Sequence, residues 1–437
     1  MSHAFARRLA LIDPVARCGR VTKIMPTHIE ADGPNLPLGA LCTIESGDSP
    51  VIAAVARVDR SAISLVPFED MPRTFAGARV LAHSDDDCVP VGDAFLGRAV
   101  DALGRPIDGG AAIVTAERGR LRGTETPALE RASPRERVET GIRAIDALLT
   151  IGQGQRVGLF AASGVGKTSL MTQLATQIES DRAVICLVGE RGREVESLWY
   201  EGLTDEARAK TAMVAATSDQ SAAMRARACD LALALADHWR GEGRHVVLLL
   251  DSVTRLAMAM REIGLAAGEP PTVRAYTPSV FAAIPRLVER CGALRAGGAI
   301  TALMTVLSET DDVDDPVSEM MKSLLDGHVI LSRTLAEQGH YPAIDVPRSV
   351  SRLARALASP AERKSAQRAI ALLGTYEQSR ILIESGVYVA GANAEIDEAI
   401  ERRPALLEFL KQQQDERATH AESAARLARI VGAGAAK

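Results

Sequence analysis

Apolar and polar residues change their spacing twice along the chain. From about Gly19 to His83, short apolar segments such as Val51-Ile52-Ala53-Ala54-Val55-Ala56-Arg57-Val58 and Ile63-Ser64-Leu65-Val66 are bounded by Gly, Pro and Asp, which predicts short strands and a small β-barrel. From Gly154 onward, apolar runs alternate with segments of helical period, the texture of a mostly parallel sheet covered on both faces. Three buried strands are predicted, at Arg156-Val157-Gly158-Leu159-Phe160, Ala183-Val184-Ile185-Cys186-Leu187-Val188 and Val246-Val247-Leu248-Leu249-Leu250. Leu170, Met171, Leu174, Ala175 and Ile178 recur at helical spacing after the first of them. Beyond about Arg352 strands disappear. Ala369, Leu372, Leu373, Tyr376 and Ile383 share one helical face and a charged stretch follows, so a small helical bundle is expected. The fold class is α/β with three domains: residues 1–90 a barrel, 91–352 the parallel-sheet core, and 353–437 the helices.

Composition narrows the partners. With 437 residues, 47% of them apolar, the chain has material for a large core. Charged residues make up 24% and the net charge is −5, so no strongly basic surface for nucleic acid is indicated. Cys18, Cys42, Cys88, Cys186, Cys229 and Cys291 lie far apart, without C-x-x-C pairs or histidines at zinc spacing, and read as reduced, mostly buried thiols of a cytosolic protein. The strongest apolar run, Val246 to Leu250, falls far short of the roughly 20 residues of a membrane span. Arg7 and Arg8 stand early, but Asp13 and Pro14 interrupt any signal-peptide core. Phe5, Leu9 and Ile12 fall on one face of a short helix beside those arginines, a candidate dock for a regulatory partner or the membrane surface.

The chemistry begins at Ala161-Ala162-Ser163-Gly164-Val165-Gly166-Lys167-Thr168, between a predicted strand and a predicted helix. A phosphate-binding loop needs backbone N–H groups turned inward, which Gly164 and Gly166 permit; Lys167 neutralises phosphate and Thr168 offers a hydroxyl to Mg²⁺. The general pattern has Gly where this chain has Ala161. A nucleoside triphosphate, ATP, with Mg²⁺ is the expected ligand. A second carboxylate at a neighbouring strand end completes the magnesium shell, and Asp251 directly after Val246 to Leu250 fits, although Asp251 and Ser252 equally suit a helix N-cap. A group to polarise the attacking water is sought after the second strand, where Glu190, Glu194 and Glu196 compete in Gly189-Glu190-Arg191-Gly192-Arg193-Glu194-Val195-Glu196.

Gly189 to Val195, Asp251-Ser252-Val253-Thr254-Arg255, Arg261 to Pro271, Leu325-Asp326-Gly327-His328 and Gly339-His340-Tyr341-Pro342-Ala343-Ile344-Asp345 resemble the ATPase family of flagellar and virulence type III protein export, itself similar to the catalytic subunits of rotary ATP synthases. Gly97 to Gly109 and Thr140 to Asp146 extend the resemblance over nearly the whole chain. It implies an N-terminal barrel used in oligomerisation, a RecA-like core and a C-terminal helical domain. It also implies that Glu190 is the catalytic carboxylate, that Ser169 and Arg191 join the loop in holding nucleotide, that Tyr341 lies against adenine, and that Arg352 is an arginine finger reaching a neighbouring subunit. The implied assembly is a homohexamer, cytoplasmic and peripheral at the inner face of the cell membrane. Its implied partners are a stator or regulatory protein, a central stalk protein, and chaperone–cargo complexes that it releases and unfolds.

Ala161 agrees with this family, whereas Ala162 stands where glycine is common. Ala275-Tyr276-Thr277-Pro278 replaces Gly-Tyr-Pro-Pro, and the segment with Trp199 and Tyr200 departs in length and composition. A rotary ion-translocating ATPase subunit is the nearest alternative; the acidic run Asp311-Asp312-Val313-Asp314-Asp315 and the short C-terminal domain favour export. A non-catalytic nucleotide-binding subunit would lack Glu190. An RNA-translocating hexamer would carry basic residues interleaved with aromatics on its barrel, which this chain, 3% aromatic, does not.

Overall fold

The computed structural model describes residues 17–432 apart from 46, 48, 70–73, 84–86 and 308–314. The segment with Phe5, Leu9 and Ile12 and the acidic positions 311–314 lie outside the described residues. Six strands, β1 (Cys18–Ile24), β2 (Ile29–Ala31), β3 (Leu41–Ile44), β4 (Val51–Val58), β5 (Ile63–Pro67) and β6 (Arg79–Ala82), close into a barrel in the order β1-β2-β5-β4-β3-β6. The period-two rule sorts their residues: Val51, Ala53 and Val55 of β4 fill the barrel with Ile29, Leu65 and Val80, while Ile52, Ala54 and Ala56 lean outward on the core of the next domain.

That core is a sheet built on β7 (Arg98–Val100), β8 (Arg156–Ala161), β9 (Arg182–Glu190), β10 (Thr211–Thr217), β11 (His245–Asp251), β12 (Ala299–Leu307), β13 (Gly327–Ile330) and β14 (Val350–Ser351). Their order is β14-β13-β8-β12-β11-β9-β10-β7, and every pair is parallel except β13 with β14. The three predicted strands are β8, β9 and β11, each running to the residue beside which chemistry was sought. Alternate side chains feed opposite faces. Val246, Leu248 and Leu250 of β11 join one apolar layer with α2 (Ala222–Gly241) and α3 (Val253–Ala266); Val247 and Leu249 join the other with α1 (Lys167–Gln177).

The second layer continues without a break into three C-terminal helices, α4 (Pro360–Glu384), α5 (Ala394–Leu410) and α6 (His420–Ile430). Ala369, Leu372 and Leu373 of α4 are buried there, Tyr376 packs partly against them, and Ile383 is half-buried. The charged stretch is therefore mostly helix, started by Asn393 and by a Thr419–Glu422 capping box. None of the six cysteines forms a disulfide, and Cys42, Cys186, Cys229 and Cys291 are buried. No helix among the described residues is long and apolar enough to cross a membrane.

In the loop between α3 and the helix Pro278–Arg290, Arg274 and Ala275 take positive φ, 52° and 61°. This is where Gly-Tyr-Pro-Pro was expected. An L side chain in the left-handed region costs roughly 1–2 kcal/mol, partly offset by the entropy a glycine would lose on folding. Ala275→Gly is expected to stabilise the core by about 1 kcal/mol, raising its calorimetric midpoint by ~2–4 °C. An unchanged or lower midpoint contradicts a left-handed backbone at this position.

Candidate active site

Because β8, β12, β11 and β9 are parallel neighbours, their carboxyl ends line one edge, and the residues leaving those ends meet. Ala161 closes β8. Ala162 to Gly166 form the loop, and α1 opens at Lys167. Gly164 and Gly166 take φ of 79° and 87°, the turn that directs successive N–H groups inward. Gly166 serves a second purpose, since a Cβ there would stand 3.0 Å from Cε1 of Tyr341. The tyrosine ring therefore lies against the loop while remaining 45% exposed.

Asp251 is the last residue of β11, and the helix cap is Ser252, whose hydroxyl accepts the N–H of Arg255. The Asp251 carboxylate is thus released from capping. Lys167 Nζ donates to Asp251 Oδ1 at 2.6 Å and to Glu190 Oε1 at 3.2 Å. Both carboxylates are buried, at 5% and 3% exposure. Thr305 of β12 donates its hydroxyl to Asp251 Oδ1 at 2.6 Å, and Arg255 lies 3.3 Å from Glu190 Oε2. Burial pushes the Glu190 carboxyl above the usual range; a hydrogen bond with Glu194 pushes the same way, against the pull of Lys167 and Arg255.

Glu190, Glu194, Thr168 and Asp251 share with apolar side chains, Met171, Leu187 and Leu249 among them, the lining of a void of about 20 Å³. Outside it a cleft of about 520 Å³ is lined by Thr168, Ser169, Arg191, Arg193, Glu194 and Gln414. Of the three competing glutamates, Glu190 is the one bonded to the loop lysine, Glu194 sits beside it, and Glu196 is exposed on the helix Gly192–Ser197. Arg255 and Thr305 were not singled out from sequence. Thr305 had a signal, being with Thr301 one of two hydroxyls inside the apolar β12, and Arg255 follows Asp251 by one helical turn.

Arg352 is elsewhere. Its N–H donates to the Asp326 carbonyl at the head of β13, so it sits at the amino ends of the parallel strands, the full length of β8 away from the loop, roughly 16–20 Å. The side chain is exposed, donates to the Lys322 carbonyl at 3.4 Å, and forms no ion pair among the described residues.

Two family models match the chain: the nucleotide-binding domain of the ATP synthase alpha/beta family over residues 141–351, and the T3SS EscN ATPase C-terminal domain over residues 358–429. The flagellum-specific ATP synthase of Bacillus subtilis (strain 168) is 42% identical over 432 residues, covering 97% of this chain and 97% of that protein. The assembled ATPase EscN of the enteropathogenic E. coli type III secretion system matches with a TM-score of 0.90 at 36% identity, over 94% of this chain and 100% of that one. EscN in complex with its central stalk EscO matches at 0.87 and 35% over the same shares. This chain belongs to the ATP synthase alpha/beta family, among its flagellar and type III secretion ATPases, and is an ATP-hydrolysing enzyme.

Proposed function

We propose that this ATPase energises protein export through a flagellar or injectisome apparatus, as a homohexamer with its active sites between subunits. The observation that carries the reading is the Lys167 ammonium bound to two buried carboxylates at one end of the sheet while Arg352 stands exposed at the other. A subunit with its phosphate loop at one end and an exposed arginine at the other can pair head to tail, and such contacts form a ring where the rotation between neighbours closes.

At each site the loop N–H groups, Lys167 and Ser169 hold the phosphates, Arg191 borders them, and Tyr341 covers the base. The hard oxygen donors Thr168 and Asp251, beside Glu190 and Glu194, are few enough to leave room for water and phosphate oxygens, the set that suits Mg²⁺. Held by Thr168 and Asp251, Mg²⁺ would supply charge neutralisation at the phosphates. Glu190 accepts a proton from the attacking water and aligns it with the γ-phosphorus, Arg255 holds the second oxygen of that carboxylate, and Thr305 fixes Asp251. Arg352 of one subunit stabilises the charge developing in the next. The complex of EscN with its central stalk EscO supports a stalk partner for this chain also. A stator or regulatory protein, and chaperone–cargo complexes released and unfolded at the gate, complete the proposed partners, with the hexamer peripheral at the inner face of the membrane.

Glu190→Gln is expected to lower kcat by about 10²–10⁴ with nucleotide affinity kept, and Arg352→Ala by about 10³–10⁵. Turnover per wild-type subunit should fall on dilution to monomer. Normal turnover by Glu190→Gln removes the catalytic assignment, and turnover independent of dilution removes the shared site.

The raised Glu190 pKa sets a pH dependence. The active form is the carboxylate, so activity is full above the raised pKa and is lost as pH falls through it; the acid limb of kcat/KM should lie above the ordinary glutamate value of about 4.3. Glu194→Gln removes a partner that favours the protonated acid, so its acid limb should move to lower pH. A limb that stays in place, or moves up, detaches Glu194 from the titration.

A further inference from the structure

Among the described residues, the Arg352 side chain has only a long contact, to the Lys322 carbonyl at 3.4 Å. Its main chain is better held. The Arg352 N–H donates to the Asp326 carbonyl at 3.0 Å. That carbonyl also receives Gln155 Nε2 at 3.3 Å, and the same amide donates to Ser351 Oγ at 3.1 Å. Ser351 Oγ in turn donates to the Thr150 carbonyl at 2.8 Å. The approach of β14 to β13 is close enough to require glycine at 327, where a Cβ would meet the Val350 carbonyl oxygen at 2.5 Å.

Asp326 itself is clamped. Its Oδ2 accepts the Arg156 N–H at 3.0 Å and Arg156 Nε at 3.0 Å, its Oδ1 accepts Arg156 Nη2 at 3.2 Å, and its N–H donates to the Arg156 carbonyl at 2.9 Å. Arg156 also reaches Glu289 Oε1 at 2.8 Å. A guanidinium engaging both oxygens of one carboxylate has a fixed geometry that a single lysine contact lacks. Arg156 is the first residue of β8, the strand that carries the phosphate loop at its other end.

We propose that Asp326, locked by the two-toothed contact with Arg156, is a positioning residue for the arginine finger: it sets where Arg352 enters the neighbouring active site and contributes nothing to its own. This rests on the reading of Arg352 as a finger in trans. A misplacement of about 1 Å in a group acting on the transition state reduces rate by about 10². Asp326→Asn is therefore expected to lower kcat some 10- to 100-fold, with unchanged affinity for a fluorescent ATP analogue.

Mixed rings separate positioning from general damage. Glu190→Gln subunits bind nucleotide without hydrolysing it but keep an intact finger and an intact Asp326. Mixed with Asp326→Asn subunits, they should restore turnover, because the Asp326→Asn loop then receives a properly placed arginine. An Arg352→Ala and Glu190→Gln mixture gives the reference. Recovery in the reference and none with Asp326→Asn overturns the positioning role and leaves the finger reading standing. No recovery in the reference overturns the finger reading, and the inference with it. Wild-type kcat for Asp326→Asn alone also overturns the inference. Should Asp326→Asn fail to bind nucleotide, Arg156→Lys decides, since it keeps the charge and loses the fork: the inference expects a smaller loss of kcat repaired in the same mixture, and full activity, or a loss that mixing leaves unrepaired, overturns it.

Discussion

Two buried carboxylates at neighbouring strand ends are tolerable only because one ammonium lies between them. An ionised carboxylate without a partner in a protein interior is destabilised by several kcal/mol, and two without a cation repel each other as well. Lys167 meets both Asp251 and Glu190, and each acid has a further donor from another element, Thr305 from β12 and Arg255 from α3. The loop, three strand ends and a helix are thus held in register by polar contacts that apolar packing alone would leave free to slide. Burial, with Glu194 beside it, pushes the Glu190 carboxyl toward protonation against the pull of Lys167 and Arg255.

Sheet polarity does the rest. Parallel strands collect all carboxyl ends on one edge and all amino ends on the other, so Arg352, which leaves the carboxyl end of the antiparallel β14, lies at the edge remote from the loop of its own chain. Catalysis that needs both ends needs two copies. The barrel and the sheet share an apolar boundary through Ile52, Ala54 and Ala56, so the element read as the oligomerisation domain is not an independent bead beside the core.

Much of this was legible beforehand, and the gaps have physical causes. β8, β9 and β11 announce themselves because strands buried on both faces are continuous apolar runs. The phosphate loop, Asp251 and Glu190 lie at the ends of those runs, where local motif and strand end coincide. Thr305 and Arg255 were passed over because their partners are 54 and 65 residues away in sequence, and no local pattern encodes a contact of that range. The C-terminal helices were half seen: α5 buries only Ala399, Leu406, Phe409 and Leu410 among exposed and half-buried acids and arginines, so its charge concealed its apolar face. The two capping residues, Asn393 and Thr419, were the missed signals.

The segment between α5 and α6 shows how far such long-range contacts shape the site. Lys411-Gln412-Gln413-Gln414-Asp415-Glu416-Arg417 reads as a polar linker, yet its backbone is bound on three sides. Gln173 and Gln177, one turn apart on α1, donate to the carbonyls of Gln413, Gln414 and Glu416 at 3.1 to 3.4 Å. Arg143 donates to the Phe409 carbonyl at 2.8 Å and pairs with Glu416, and the Gln412 N–H donates to the Tyr341 carbonyl at 2.9 Å. The helix that begins with Lys167, the tyrosine on the loop, and Gln414 at the cleft are therefore tied to one strap. The C-terminal helices cannot shift against α1 without breaking several of these hydrogen bonds, each worth about 0.5–1.5 kcal/mol, and that sum links any movement of the phosphate loop to the helical domain.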